Sequence, residues 1–212
     1  MTNSTSNSQV VSDNEEKFDL LNEDGSMLGV SKRRSLVHRD GDCGDWHRSV
    51  HIWLFSVDKT SKEISILLQM RSPGKDTFPN CWDVSSAGHV GSGDVSFSTA
   101  IRELEEELGL SVNENQLEFV FSVKSSNRGY SPAQGAFIDN EIQDVYALYT
   151  PTQYDKSDLK LQESEVSNVK YIPLAEYKSA LQSKNDSYVP RPDAYQEQLF
   201  EFLESKCGEI TN

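Results

Sequence analysis

The chain has 212 residues, 36% hydrophobic and 25% charged, and its 34 Asp and Glu against 20 Lys and Arg give a formal net charge of −14. That length suits one domain with a full core, no apolar run is long enough to span a membrane, and the acidic balance excludes a surface built to neutralise nucleic-acid phosphates. Cys43, Cys81 and Cys207 are widely spaced and odd in number, which reads as free thiols in a reducing compartment; with an N-terminus that has neither a basic start nor an apolar centre, the expected location is the cytosol.

Residues 1–16 are polar and acidic and are expected to be a tail. A single domain should occupy 17–207, with a short second tail at 208–212. The stretch "FDLLNEDGSMLGVSK" reads as two short strands joined by an Asp-Gly turn at Glu23 to Ser26. "HRDGDCGDWH" is a loop, "RSVHIWLFSV" a buried strand, and "EISILLQMR" another strand after a turn at Asp58 to Lys62. Two prolines and a glycine make "SPGKDTFPN" a loop. A helix follows from about Val95 to Leu108, where Phe97, Ile101, Leu104 and Leu108 form one apolar stripe, and Gly109 ends it as a C-terminal cap. Strands are expected at "LEFVFSVKS", "EIQDVYALYT" and "SEVSNVKYI", with a long polar loop, "SNRGYSPAQG", between the first two. Helices "PLAEYKSALQS" and "RPDAYQEQLFEFLESK" close the chain. Strands mixed with a few helices predict an α/β (α+β) domain with a mixed sheet covered on both faces.

The central helix raises the question of function. On a helical wheel Glu103, Glu106 and Glu107 share one arc about 100° wide, about 120° from the apolar stripe. Like charges at these spacings repel by a few tenths of a kcal/mol per pair. A divalent cation reverses the sign, and hard oxygen ligands suit Mg²⁺ or Mn²⁺ bridging to substrate phosphates. The alternative is a solvated Glu-rich face.

The surrounding residues favour the cation. "GHVGSGDVSFSTAIRELEEELGL" resembles the Nudix hydrolase signature G-x5-E-x7-R-E-U-x-E-E-x-G-U, where U is aliphatic: Gly88, Arg102, Glu103, Leu104, Glu106, Glu107, Gly109 and Leu110 match, and Asp94 replaces the usual Glu. The resemblance implies an α/β/α sandwich that uses Mg²⁺ (or Mn²⁺) and water to cleave a phosphoanhydride. Carried over, Glu103, Glu106 and Glu107 are metal ligands, with the Gly88 carbonyl a further one, and Glu141 completes the cage from the sheet. Arg102 orients the carboxylates, and either Glu103 or Glu165 is the base. Asp94 either reaches the cation through water or caps the helix N-terminus.

Two further segments, "KRRSLVHRDGDCGDWHRSVHIWLF" and "LLQMRSPGKDTFPNCWDVSSAGH", resemble the isopentenyl-diphosphate isomerase branch of this superfamily. That likeness implies that Arg71 and Lys75 grip the substrate diphosphate, a role that two cations four residues apart can fill. It also sets His38, His47 and His89 at the substrate end of the site, beside Asp139 and Glu141, where the isomerases hold a metal with histidines and acids. The isomerases' catalytic cysteine is Ala87 here, and a methyl group transfers no proton. Cys81 reads as a small apolar filler. The expected activity is therefore hydrolysis of a nucleoside-linked or isoprenoid diphosphate; isomerisation and non-catalytic diphosphate binding are the alternatives. The partner is a small-molecule diphosphate, and the oligomeric state stays open.

Overall fold

A computed structural model describes residues 15–38, 44–131 and 135–212. The expected tail up to residue 14, Cys43 with the middle of its loop, and residues 132–134 lie outside the described residues. In chain order the elements are β1 (Lys17–Leu21), β2 (Met27–Arg33), α1 (Arg34–Val37), β3 (Trp46–Val57), β4 (Ile64–Arg71), β5 (Trp82–Asp83), β6 (Ser86–His89), α2 (Ser96–Leu108), β7 (Leu117–Ser131), β8 (Gly135–Tyr149), β9 (Val166–Pro173), α3 (Leu174–Gln182) and α4 (Asp193–Thr211).

The two faces of β3 organise the packing, because successive side chains of a strand point to opposite sides. Val50, Ile52 and Leu54 face α2, joined by Leu67, Tyr146 and Leu148 around Ala100, Leu104 and Leu108. Trp53, Phe55 and Val57 face the other way, with Ile66, Leu68, Val145 and Ala147 under Tyr177 of α3 and Tyr195, Leu199 and Leu203 of α4. The result is the expected mixed sheet covered on both faces. Along one edge β3 pairs in parallel with β8, from Trp46↔Asn140 to Phe55↔Tyr149. Along the other it splits its pairing, meeting β4 at Phe55 to Val57 and β6 at Ser49 to Ile52. Ser85 closes the fork: its hydroxyl accepts from the Leu54 amide (2.8 Å) and donates to the Leu67 carbonyl (2.6 Å).

Several expectations need correction. Of the polar stretch 126–135, expected as a long loop, residues 126–131 are strand, since β7 and β8 stay paired out to Ser131↔Gly135. Backbone pairing, a Ser126 to Asn140 side-chain bond of 2.7 Å and the Phe137 ring lying on Gly129 hold this extension together. Residues 126–130 are exposed or half-buried, so they carry no apolar alternation and their composition reads as loop. The tail expected at 208–212 is helical to Thr211, whose hydroxyl donates to the Cys207 carbonyl at 2.8 Å. Glu15 and Glu16 are tied to α1 through Ser35 and Arg34 and not loose. Asp94 does not cap α2, whose cap position is Val95; the carboxylate turns back to Gly91 instead. Cys81 is half-buried with its thiol at the Asp186 carbonyl, outside the core. Among the described residues no helix is long and apolar enough to cross a membrane.

Candidate functional site

Helix α2 ends where Gly109 turns left-handed (φ 71°): its amide bonds the Glu105 carbonyl and the Leu110 amide bonds the Leu104 carbonyl, both at 3.0 Å. Burial of Ala100, Leu104 and Leu108 fixes the roll of the helix. That roll sets Glu103 and Glu107 against β6 and leaves Glu106 exposed. Gly88 lies directly beneath Glu103, and a Cβ there would fall 2.2 Å from the Glu103 carboxyl carbon. Only a glycine lets the carboxylate come this close to the strand backbone.

Glu107 accepts from the Ala87 amide (3.0 Å) and from the Gln69 side chain (3.4 Å). Arg102 pairs with Glu103 at 3.0 Å and with Glu106 at 2.8 Å. Burial and the neighbouring Glu107 push the Glu103 carboxyl up to about 8, with Arg102 pulling the other way. Burial likewise lifts Glu107 to about 7, against its hydrogen bonds to Ser86 and Ala87. Burial disfavours the charged form of both carboxyls, a penalty that a bound cation would relieve.

A second cluster stands at the far end of β6. His38, His47, His89 and Asp139 each offer a ligand atom, all within 4.8 Å of one another. Asp139 Oδ1 lies 3.5 Å from His38 Nε2 and 3.6 Å from His47 Nε2, and although buried it accepts no hydrogen bond among the described residues. His89 Nε2 is 3.5 Å from Glu141. Phe18 stacks on His47 and His89 at 5.0 and 4.8 Å. Burial lowers His38 and His47 to about 4 and His89 well below its ordinary value, so the rings are neutral and free to act as ligands. Burial and the adjacent Glu141 drive the Asp139 carboxyl well above the usual carboxylate range.

The loop between β4 and β5 carries the cations. Lys75 pairs with Glu165, whose own backbone carbonyl accepts from the Ser72 amide at 2.9 Å. Arg71 donates to Thr77 through Nε and Nη2, each at 2.9 Å, and to Asp83 through Nη1 at 3.1 Å. Buried Asp83 also receives Arg191, from the segment leading into α4.

A cavity of ≈520 Å³ unites these parts. Of the residues expected at the site, Gly88, Arg102, Glu103, Glu106, Glu107, Glu141, Glu165, Arg71, Lys75, His38 and His89 line it. His47 does not: it is fully buried behind them, facing Asp139 and His38, so its expected contact with substrate is corrected to a place inside the histidine cluster. Sequence reasoning missed Asp83 and Arg191, and also His51, which bonds the Tyr195 hydroxyl (3.0 Å) where Trp53 Nε1 also donates (2.8 Å). A signal for His51 was present, since His47, Ser49 and His51 alternate as one polar row on a strand face that continues with Trp53, Phe55 and Val57.

The NUDIX domain family matches residues 45–191. Nudix hydrolase 3 of Arabidopsis thaliana is 42% identical over 196 residues, covering 91% of this chain. The chain spans only 24% of that relative's length. A Nudix hydrolase of Clostridium acetobutylicum is 34% identical over 81% of this chain and 77% of its own. An isopentenyl-diphosphate Delta-isomerase of Streptomyces griseus is 31% identical over 44% of each protein, which bears out the isomerase-like segments at partial coverage. Among solved structures, DR0079 of Deinococcus radiodurans superposes with a TM-score of 0.57 at 21% identity, over 91% of this chain and 99% of that one.

Proposed function

The chain belongs to the NUDIX domain family, and on that premise we propose that it is a divalent-cation-dependent hydrolase of a phosphoanhydride bond in a small diphosphate-linked substrate. The observation that carries this reading is the convergence of Glu103, Glu106 and Glu107 on one cavity with Lys75 and Arg71. The donor set fits a hard cation: three carboxylates, two of them buried, line one cavity, and Glu103 stands over a glycine whose missing side chain makes its approach possible. Glu103, Glu106 and Glu107 would hold Mg²⁺ or Mn²⁺, with the Gly88 carbonyl and Glu141 beside them. The His38, His47, His89 and Asp139 cluster fits a second ion, because among the described residues Asp139 Oδ1 has no hydrogen-bond donor to satisfy it. A bound divalent cation supplies charge neutralisation on the phosphates and acidifies a water.

The protein's own residues do the rest. Arg102 keeps Glu103 and Glu106 in register. Lys75 is the freer of the two phosphate-directed cations, since Arg71 is engaged with Thr77 and Asp83. Glu103 and Glu165 both face the cavity as proton acceptors for the attacking water. Ala87 brings no proton-transfer group to the position where an isomerase needs one, which favours hydrolysis over isomerisation. A panel of nucleoside, sugar and prenyl diphosphates with Mg²⁺, read by mass spectrometry, tests the reading. Cleavage of at least one member, abolished in Glu106→Gln, is the expected result; a folded, cation-binding protein that cleaves none would overturn it.

A further inference from the structure

Ser72 follows β4, is 3% exposed, and stands behind the cavity wall without lining it. Its amide, its carbonyl and both functions of its hydroxyl are all engaged. The carbonyl accepts from the Lys75 amide at 3.2 Å, closing a β-turn with Pro73 in second place. The hydroxyl accepts from the Gly74 amide at 3.3 Å, which braces the same turn from inside. The other two bonds leave the turn. The amide donates to the Glu165 carbonyl at 2.9 Å, and the hydroxyl donates to the Ser164 carbonyl at 2.7 Å. The first of these continues the β4–β9 pairing one residue past Arg71↔Val166, and the second adds a side-chain bond beside it.

The segment 162–166 is held at its other end by α2. The Gln162 amide donates to the Glu107 carbonyl at 3.0 Å, and the Gln162 carbonyl receives the Glu165 and Val166 amides, each at 2.8 Å. Glu165 is thus fixed between the acidic helix and Ser72, while Ser72 carries Lys75 on its own turn. The Lys75 and Glu165 side chains pair, but they are 23% and 34% exposed, and an ion pair in contact with water holds its partners loosely. The buried bonds of Ser72 set where that pair stands.

We propose that Ser72 is a positioning residue that joins the turn bearing Lys75 and the segment bearing Glu165 into one unit, so that cation and carboxylate meet a substrate at a fixed separation. The proposal rests on reading the cavity as a diphosphate site. Two loops that moved separately would let a phosphate draw Lys75 away from Glu165. Joined, they keep their geometry, and a displacement of about 1 Å at a reacting centre can lower a rate by about a hundredfold.

The test needs no turnover. Hydrogen exchange read by mass spectrometry on the full chain compares the wild type with Ser72→Ala and Ser72→Thr. Ser72→Ala is expected to speed exchange about threefold or more at Gly74 and Lys75 and also at Glu165 and Val166, with α4 unchanged; Ser72→Thr, which keeps the hydroxyl, retains most of the protection. Calorimetric binding of inorganic pyrophosphate with Mg²⁺ is expected to weaken roughly threefold to tenfold in Ser72→Ala, but by less than about twofold when Ser72→Ala is added to Lys75→Met. Faster exchange confined to 73–75, equal losses in Ser72→Thr and Ser72→Ala, or an undiminished loss of affinity in the Lys75→Met background would each overturn the proposal. If the wild type fails to bind pyrophosphate while the exchange pattern holds, the joining of the two loops stands and the diphosphate reading of the cavity falls.

Discussion

At the scale of single residues, the closest approach in the site is between Gly88 and Glu103. A methyl group at Gly88 would meet the Glu103 carboxyl carbon at 2.2 Å, and the carboxylate would have to leave the strand. Gly88→Ala is therefore expected to cost on the order of a hundredfold or more in kcat, yet only about 1–3 kcal/mol of stability, because the displaced group can swing toward the cavity. Steady-state kinetics beside a denaturant melt checks both numbers. Glu165→Gln decides between the two candidate bases, because Glu103 is also proposed to hold the cation: if Glu165 is the base the variant should lower kcat by about 10²–10⁴ and flatten the pH–rate profile, and if Glu103 is the base it should leave the profile's shape intact. The acidic helix was legible in the sequence because the glycines, the arginine and Glu103, Glu106 and Glu107 lie at fixed local spacings. Asp83 and Arg191 were not, since they lie far apart in the chain and meet only when the segment before the last helix packs against the sheet.

At the scale of elements, the cap of α2 joins the acidic helix to the rest of the site. Gly109 sits at φ 71°, and a Cβ there would lie 2.7 Å from the Lys160 Cβ. Gly109→Ala should destabilise the fold by about 1–3 kcal/mol, through backbone strain and that contact together, which urea unfolding would measure. The same region is bonded across by the Lys160 amide to Leu108 and by the Gln162 amide to Glu107, at 2.9 and 3.0 Å. The segment bearing Glu165 is thus anchored at the helix end, and the variant should lose activity as well as stability. Helix α2 and its cap could be read from the apolar period and the glycine. The outer part of the β7–β8 hairpin could not, because its stability comes from backbone pairing and one aromatic on a glycine, neither of which leaves an alternating apolar pattern.

For the molecule as a whole, the buried titratable groups set how stability depends on pH. His38, His47 and His51 sit near 4 in the folded protein, against an ordinary 6.5. The unfolded chain therefore binds more protons in that interval, and stability is lost as pH falls from about 6.5 toward 4. Glu103 and Glu107 act oppositely: raised from 4.5 to about 8 and 7, they hold protons that the unfolded chain has released, so stability is lost as pH rises through that range. The chelated protein should be most stable near pH 6.5, where the histidine loss has ended and the carboxylate loss is incomplete. Adding Mg²⁺ should raise the melting temperature more at alkaline than at mildly acidic pH, since the cation competes with protons for the same oxygens. Calorimetric melts across pH, with chelator and with Mg²⁺, give both curves. A melting temperature that climbs steadily with pH in chelator would contradict this picture.

The span that matches the NUDIX domain family runs from residue 45 to 191, yet two aromatic rings that complete the interior come from outside it. Phe18 stacks under two of the histidines, and Tyr195 sets the direction of the hydrogen bonds at His51. An expression clone trimmed to the matched span would discard both, along with the helix whose side chains seal one face of the sheet. The smallest unit that keeps this interior is thus longer than the span matched by the family, reaching from the opening strand to the closing helix.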